Sequence, residues 1–299
     1  MLLKQKFASY LALLLGASVW GVIWYPFRAL NDAGVSGIIS TLITYAIALF
    51  IGVFIFRNAI SSCRRYWKTI FWIALSAGWT NLAFVLAVID GTLVRVTLLF
   101  YLAPLWTVIF SRILLREKLS TAGFFVILLS LAGALTMLWR SGDDIPIPQS
   151  SAEWLGLSAG ITFALSNVLA RRAEHLSVQD KSLAIWLGVT ATAFVLSIPQ
   201  VGNFSVIATL GISTWTLIVF LGLLIFVMSI VVQYGLTNIP SNQAIVILLF
   251  ELVVVAISAH YLAAEAVSWR EWVGSAMIIS ATLFSSRMYA RDPKQKLVN

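Results

Sequence analysis

One carboxylate inside a long apolar run is the sequence feature with the clearest chemical meaning. Glu251 lies in the stretch ILLFELVVVA, far from any other acidic or basic residue of the run. A charge at mid-bilayer depth costs ~2.5 to 3.5 kcal/mol on insertion scales, so such a side chain faces a cavity, pairs, or takes a proton. Two readings follow: a substrate or proton site, or a structural hydrogen bond between helices. Trp20, Trp24, Trp79, Tyr101 and Trp106 also fall inside apolar runs, together with the polar Asn81, Asn167 and Gln233. A mostly apolar cavity with a few polar groups is what a small organic ligand needs, and aromatic walls add stacking and attraction for an ammonium group. For each ring taken singly, packing in the bundle or contact with lipid is the competing reading. Pro104 sits mid-run, where its ring removes a backbone hydrogen bond and kinks a helix or opens it to a cavity; a hinge role in gating is the further expectation. Arg95 is expected to snorkel outward beside Asp90, and His260 to be an interfacial polar residue.

Other chemistries find little support. The two histidines, His175 and His260, form no His-and-acid metal pattern, and no nucleophile stands beside a plausible base, so the chain does not read as an enzyme. No phosphate-binding glycine loop is present, which disfavours ATP-driven pumping, and no cofactor is expected. The lone Cys63, read as a free thiol in a basic loop between the second and third apolar runs, excludes an internal disulfide.

The elements that must position these residues are membrane spans. Of 299 residues, 60% are hydrophobic and 11% charged, and mean hydropathy is +0.94, far from the soluble range. Apolar runs occur at 7–30, 35–56, 67–89, 92–115, 121–139, 154–169, 182–201, 214–236, 241–263 and 269–284, each read as a helix because an open sheet edge cannot sit in lipid. The first run is read as a retained helix rather than a cleaved signal. Trp67, Trp139, Trp154, Trp215 and Trp269 lie at span ends as interface anchors. The expected architecture is all-α integral membrane, with ten transmembrane helices: 1–140 as the first five-helix repeat, 141–153 as an outer connector, and 154–299 as the second repeat with a short tail.

Charge sets the expected topology. With a cytoplasmic N-terminus, only Arg28, Arg95, Arg140 and Arg270 of the 20 basic residues fall outside, which puts both termini in the cytoplasm. The formal charge of +8 therefore points to anionic lipid headgroups and not to nucleic acid. Five spans per half is an odd number, so a second copy enters inverted. An offset of 148 residues lays 97–126 on 245–274 without a gap, Glu117 on Glu265 and Ser120 on Ser268; an offset of 143 lays Arg28 on Arg171 and Trp24 on Asn167. Glycines and small residues at 123–133 and 274–281 let the fifth and tenth helices approach a neighbour closely, as a packing seam or a dimer face.

Trp20–Gly21 in the first helix, LAPLWTVIFSRILLREKLS closing the fourth and FELVVVAISAHYLAAEAVSWREWVG closing the ninth carry a family likeness. The chain resembles the EamA-type ten-helix members of the drug/metabolite transporter superfamily. That resemblance implies an inverted-repeat exporter in the bacterial inner membrane, with alternating access, and its best-characterised branch exports aromatic and other neutral amino acids. The family often reads Glu-Pro in its second repeat, whereas here Glu251 precedes Leu252, and Pro104 stands without a glutamate. The expected partners are a small-molecule substrate and membrane lipid, with possible proton coupling, in a monomer or homodimer. The alternatives are a carrier of a nucleoside, drug or sugar-type metabolite, or a channel.

Overall fold

The computed structural model describes residues 2–90, 93–117, 119–138, 148–263 and 268–288, and among them every regular element is a helix. In the first half these are α1 (Leu2–Asp32), α2 (Gly37–Ile55), α3 (Arg57–Arg65), α4 (Trp67–Asp90), α5 (Leu93–Phe100), α6 (Ala103–Phe110) with a π-helical turn at Ser111–Leu115, and α7 (Thr121–Leu138). In the second they are α8 (Ser151–Arg172), α9 (Val178–Ser197) leading into a 3-10 segment at Ile198–Thr209, α10 (Ile212–Asn238), α11 (Ser241–Leu248), α12 (Phe250–Ala263) and α13 (Trp269–Met288).

Helix ends follow local chemistry. Gly34 closes α1 at φ +87°, a left-handed turn in which the Val35 amide bonds the Leu30 carbonyl at 3.0 Å. Ser36 caps α2, Ser150 caps α8, and Ser177 with Asp180 forms a full capping box on α9.

Among the described residues six segments are long and apolar enough to cross a membrane by length and composition: 5–32, 37–55, 67–88, 96–115, 212–238 and 241–262; the apolar helix at 121–137 is shorter. The outside of the bundle is apolar, with Phe7, Phe50, Phe54, Trp72, Phe125 and Leu283 exposed, while Ser40, Thr44, Thr107, Asn167 and Gln233 lie inside. That distribution suits a lipid surround, where exposed hydrocarbon costs nothing and internal polar groups find partners.

Packing is pairwise. α4 lies along α8 and α9, α10 along α1 and α2, α2 against α9, and α7 against α13; α5 and α6 pack on α8, and α11 and α12 on α1. The small-residue seam proves intramolecular: a Cβ on Gly133 would meet the Gly274 carbonyl at 2.9 Å, so glycine at both positions lets α7 and α13 touch backbone to backbone.

Three expectations are corrected. The 57–66 stretch is not a loop, because Ala59 and Cys63 turn inward on a nine-residue helix, α3. The fourth run is not one helix kinked within at Pro104: the break falls at Tyr101–Leu102, and Pro104 lies in the first turn of α6, where its missing N–H costs little. The ninth run is likewise divided, at Leu249. The connector from 141 to 147, Trp139, Arg140 and Glu265 lie outside the described residues, as do the side chains of Asp90 and Arg95.

Candidate functional site

The two helix breaks meet in the middle of the bundle. At the first, the Leu102 amide reaches only the Leu99 carbonyl, at 3.3 Å, and Pro104 has no N–H to return to Phe100. The Phe100 carbonyl faces Gly160 of α8, where any Cβ would collide with it. At the second, the Leu252 amide bonds the Leu249 carbonyl at 3.0 Å, and Glu251 stands in the first turn of α12, where a helix N-terminus favours a negative charge. Tyr101 and Glu251 line the same space between the breaks, the phenol within electrostatic reach of the carboxyl. Between them lies a small void lined by Tyr101, Ala103, Pro104, Phe163, Ile245, Leu248, Leu249 and Glu251, with room for about one water molecule. A carboxylate with one phenol neighbour and otherwise apolar walls can accept a proton, an ammonium group or a neutral hydrogen-bond donor.

α1 runs past this junction. A Cβ on Gly21 would meet the Glu251 backbone carbonyl at 2.9 Å, so the Trp20–Gly21 pair lets α1 lie directly on α12. One turn along, the Trp24 indole N–H donates to Ser258 at 3.0 Å, and the Ser258 hydroxyl donates to the Gly21 carbonyl at 2.9 Å.

The other expected residues are spread through the bundle. Trp20 packs at the Tyr45–Trp186 cluster of α2 and α9. Asn81 accepts from the Tyr45 hydroxyl at 2.8 Å and donates to the Ala77 carbonyl at 2.9 Å. Trp79 is 37% exposed and donates to Ser158 of α8 at 3.1 Å. Trp106 is half-buried on α6. Asn167 and Gln233 are buried, with Asn167 Nδ2 and Gln233 Oε1 lacking a partner. His260 is exposed, its ring against Tyr261 at 5.1 Å. Among the described residues no group of His, Cys, Asp and Glu could hold a metal ion.

A second polar centre lies at the end of the bundle where α10 ends and α11 begins, and sequence reading missed it. Glu117 reaches across to α11, accepting from the Ser241 amide at 3.4 Å and from Asn242 Nδ2 at 3.2 Å. Asn242 in turn accepts from the Ser111 hydroxyl at 3.1 Å. α11 has no side-chain cap of its own behind Pro240, so Glu117 supplies one from 124 residues away. Arg116, left-handed at φ 57°, sets the chain direction that aims Glu117; a non-glycine residue there stores strain of roughly 1 to 3 kcal/mol. Arg171 donates to the Thr237 carbonyl and Lys181, fully buried, to the Thr237 hydroxyl at 3.0 Å, two cations at the C-terminal end of α10. Gln5 bonds Asn238 at 3.2 Å, and Gln243 bonds both Tyr10 at 2.6 Å and the Ser285 carbonyl at 2.7 Å. Burial pushes the Glu117 carboxyl above its usual range, against the opposing pull of the Ser241 and Asn242 hydrogen bonds and of Arg171. The only sequence signal was the basic-acidic turn itself; its partners are encoded nowhere near it.

Comparison with known proteins agrees with this architecture. The model of the EamA-like transporter family matches residues 150–287. Protein RarD of Salmonella typhi is 25% identical over 210 residues, 65% of this chain and 66% of its own length, just under two thirds of that relative. A solved structure described only as a crystal structure of a protein superposes with a TM-score of 0.70 over 96% of this chain and 98% of its own, at 18% identity, a likeness of fold alone. Over residues 150–287 the chain is thus similar to the EamA-like transporter family, and its broken helices and apolar exterior are those of a multi-pass membrane protein.

Proposed function

We propose that this chain is a secondary carrier that exports a small organic solute, a neutral or aromatic amino acid, across the bacterial inner membrane by alternating access. The observation that carries the reading is the Tyr101–Glu251 pair, which stands where two broken helices meet and where Phe163 adds an aromatic wall. Broken helices at mid-depth free backbone groups for a ligand, and a carboxylate there binds an ammonium group or exchanges a proton. Trp24, and beyond it Trp20, Asn81, Asn167, Gln233, Trp79 and Trp106, belong on this reading to the walls exposed as the bundle opens, with Pro104 beside the hinge.

Ten spans in two inverted halves, 1–140 and 154–299 joined by 141–153, are the architecture this mechanism requires. Two observations support it. The breaks at Tyr101 and Leu249 are separated by the same 148 residues as the sequence offset. Exchanging the halves also maps the α4–α8 contact onto α10–α1, and α4–α9 onto α10–α2, while α2–α9 and α7–α13 map onto themselves. The Glu117 clasp is the gate at the cytoplasmic end, closed in this conformation, with both termini on that side.

Competition resolves the substrate. Liposomes holding the purified protein take up a labelled neutral amino acid with saturation, and unlabelled tryptophan, phenylalanine or methionine suppresses the uptake. Saturable uptake of nucleosides or drugs without amino-acid competition would move the solute class; unsaturable conductance would replace the carrier by a channel.

A further inference from the structure

α3 presents a cationic face that no carboxylate of the described residues neutralises. Its inner face is fixed: Ala59 is buried against Trp186, Tyr45 and Leu183, and Cys63 packs on Ile70, Leu176 and Ala184. Its outer face carries Arg57, Ser61, Arg64 and Arg65, all exposed, and Lys68 continues the charge into the first turn of α4. This is the polar-and-apolar division of a helix lying in a membrane interface, here held rigidly by the bundle.

The surroundings define the shape of the partner. The last turns of α2 and the first turns of α4 expose Phe50, Phe54, Ile55, Trp67, Phe71 and Trp72, an apolar surface that flanks the cations on both sides. Three of the four cations also lean on an aromatic ring at the boundary: Arg57 on Phe54 at 5.7 Å, Arg65 on Tyr66 at 5.6 Å, Lys68 on Trp67 at 5.8 Å. These contacts hold the charged heads at the edge of the apolar surface instead of leaving them free in water. A partner that meets both parts has an anionic group level with α3 and hydrocarbon extending beside α2 and α4.

We propose that α3 and the flanking turns form a binding site for an anionic phospholipid, with Arg57, Arg64, Arg65 and Lys68 on the headgroup phosphate and the acyl chains against Phe54, Trp67 and Phe71. Guanidinium groups suit this role because their forked donors match phosphate oxygens in pairs. Zwitterionic lipid has the same phosphate, but its own ammonium offsets the attraction, so the site discriminates by net headgroup charge.

The test uses the full chain in mild detergent, with lipid retention read by native mass spectrometry and thermal unfolding read in parallel. Phosphatidylglycerol is expected to remain bound and raise Tm where phosphatidylcholine does neither, and excess inorganic phosphate leaves the lipid in place. The variant R57Q/R64Q/R65Q/K68Q is expected to lose the preference. Should that variant not fold, Arg57→Gln and Arg64→Gln taken singly each lower phosphatidylglycerol retention about fivefold, while Arg270→Gln, beside Trp269, changes nothing. Equal retention of the two lipids by the wild type, unchanged preference in the singles, or displacement of the lipid by inorganic phosphate would each overturn the proposal.

Discussion

The mid-bundle junction and the Glu117 clasp each centre on one glutamate, and they solve opposite problems. Among the described residues lining its void Glu251 has one polar neighbour, Tyr101, and room for about one water beside it. Glu117 is held by a backbone amide and a side-chain amide, in a network that extends through Asn242 to Ser111 and lies close to Arg171. A sparsely bonded carboxylate in apolar surroundings has capacity left for a ligand or proton, whereas a fully engaged one holds two segments in register. On the proposed function, the contrast is between binding and gating within one bundle: capacity at the centre, satisfaction at the end.

The largest effect expected is at the centre. Glu251→Gln keeps the volume but removes the charge and is expected to cut uptake by about tenfold to a hundredfold, the cost of a hydrogen bond to a charged group. Thermal unfolding should remain near wild type, because an uncharged amide is easier to bury. A large fall in Tm with normal uptake per folded molecule would make Glu251 structural and erase the contrast.

At the clasp, Glu117→Ala strips α11 of its cap, at a cost of about 1 to 2 kcal/mol. The account expects the end to open: a cysteine replacing the fully buried Thr107, in a Cys63→Ser background, labels about tenfold faster with maleimide for each 1.4 kcal/mol the closed state loses. Unchanged labelling would mean the clasp does not hold that end shut.

The same probe reads a pH dependence. Because burial raises the Glu117 pKa, the closed clasp holds a proton more tightly than an opened, hydrated one. That stabilisation is complete below the ordinary carboxylate range and is lost as pH rises through the raised value. Labelling at Thr107→Cys, normalised to an exposed reference thiol at each pH, should be slower in mild acid than at neutrality, and Glu117→Gln should flatten the profile. An opposite slope would assign the charge of Glu117, paired with Arg171, a larger role than its burial.

The smallest effect belongs to a polar pair outside both regions. Tyr45→Phe removes the hydroxyl that bonds Asn81 and should cost about 1 kcal/mol of stability while leaving Thr107→Cys labelling unchanged. Faster labelling would tie the α2–α4 pair to the gate.

Much of this was legible in the chain. Glu251 stood out because a charge inside an apolar run must face a cavity, pair or take a proton, and the basic-acidic turn at Arg116–Glu117 marked the end of a span. The small-residue runs were visible, though only the α7–α13 contact at Gly133 and Gly274 decided between a seam within the chain and a face between chains. What sequence pattern could not carry was partnership at long range. Nothing near Glu117 announces Asn242, 125 residues on, and nothing near Asn81 announces Tyr45 on another helix. α3 escaped because nine residues, three of them arginine, are too short and too polar to separate from a loop, even though their few apolar positions share one face. Pro104 misled by a few residues, since proline is tolerated in a first helical turn and the break moves ahead of it.

The most direct test of the central claim, that the Tyr101–Glu251 junction binds the solute, is saturable uptake of a labelled neutral aromatic amino acid into liposomes, compared between wild type and Glu251→Gln across pH. The account predicts saturable wild-type uptake that the variant lowers about tenfold or more at every pH. Equal saturable uptake by the two proteins throughout the range would contradict it.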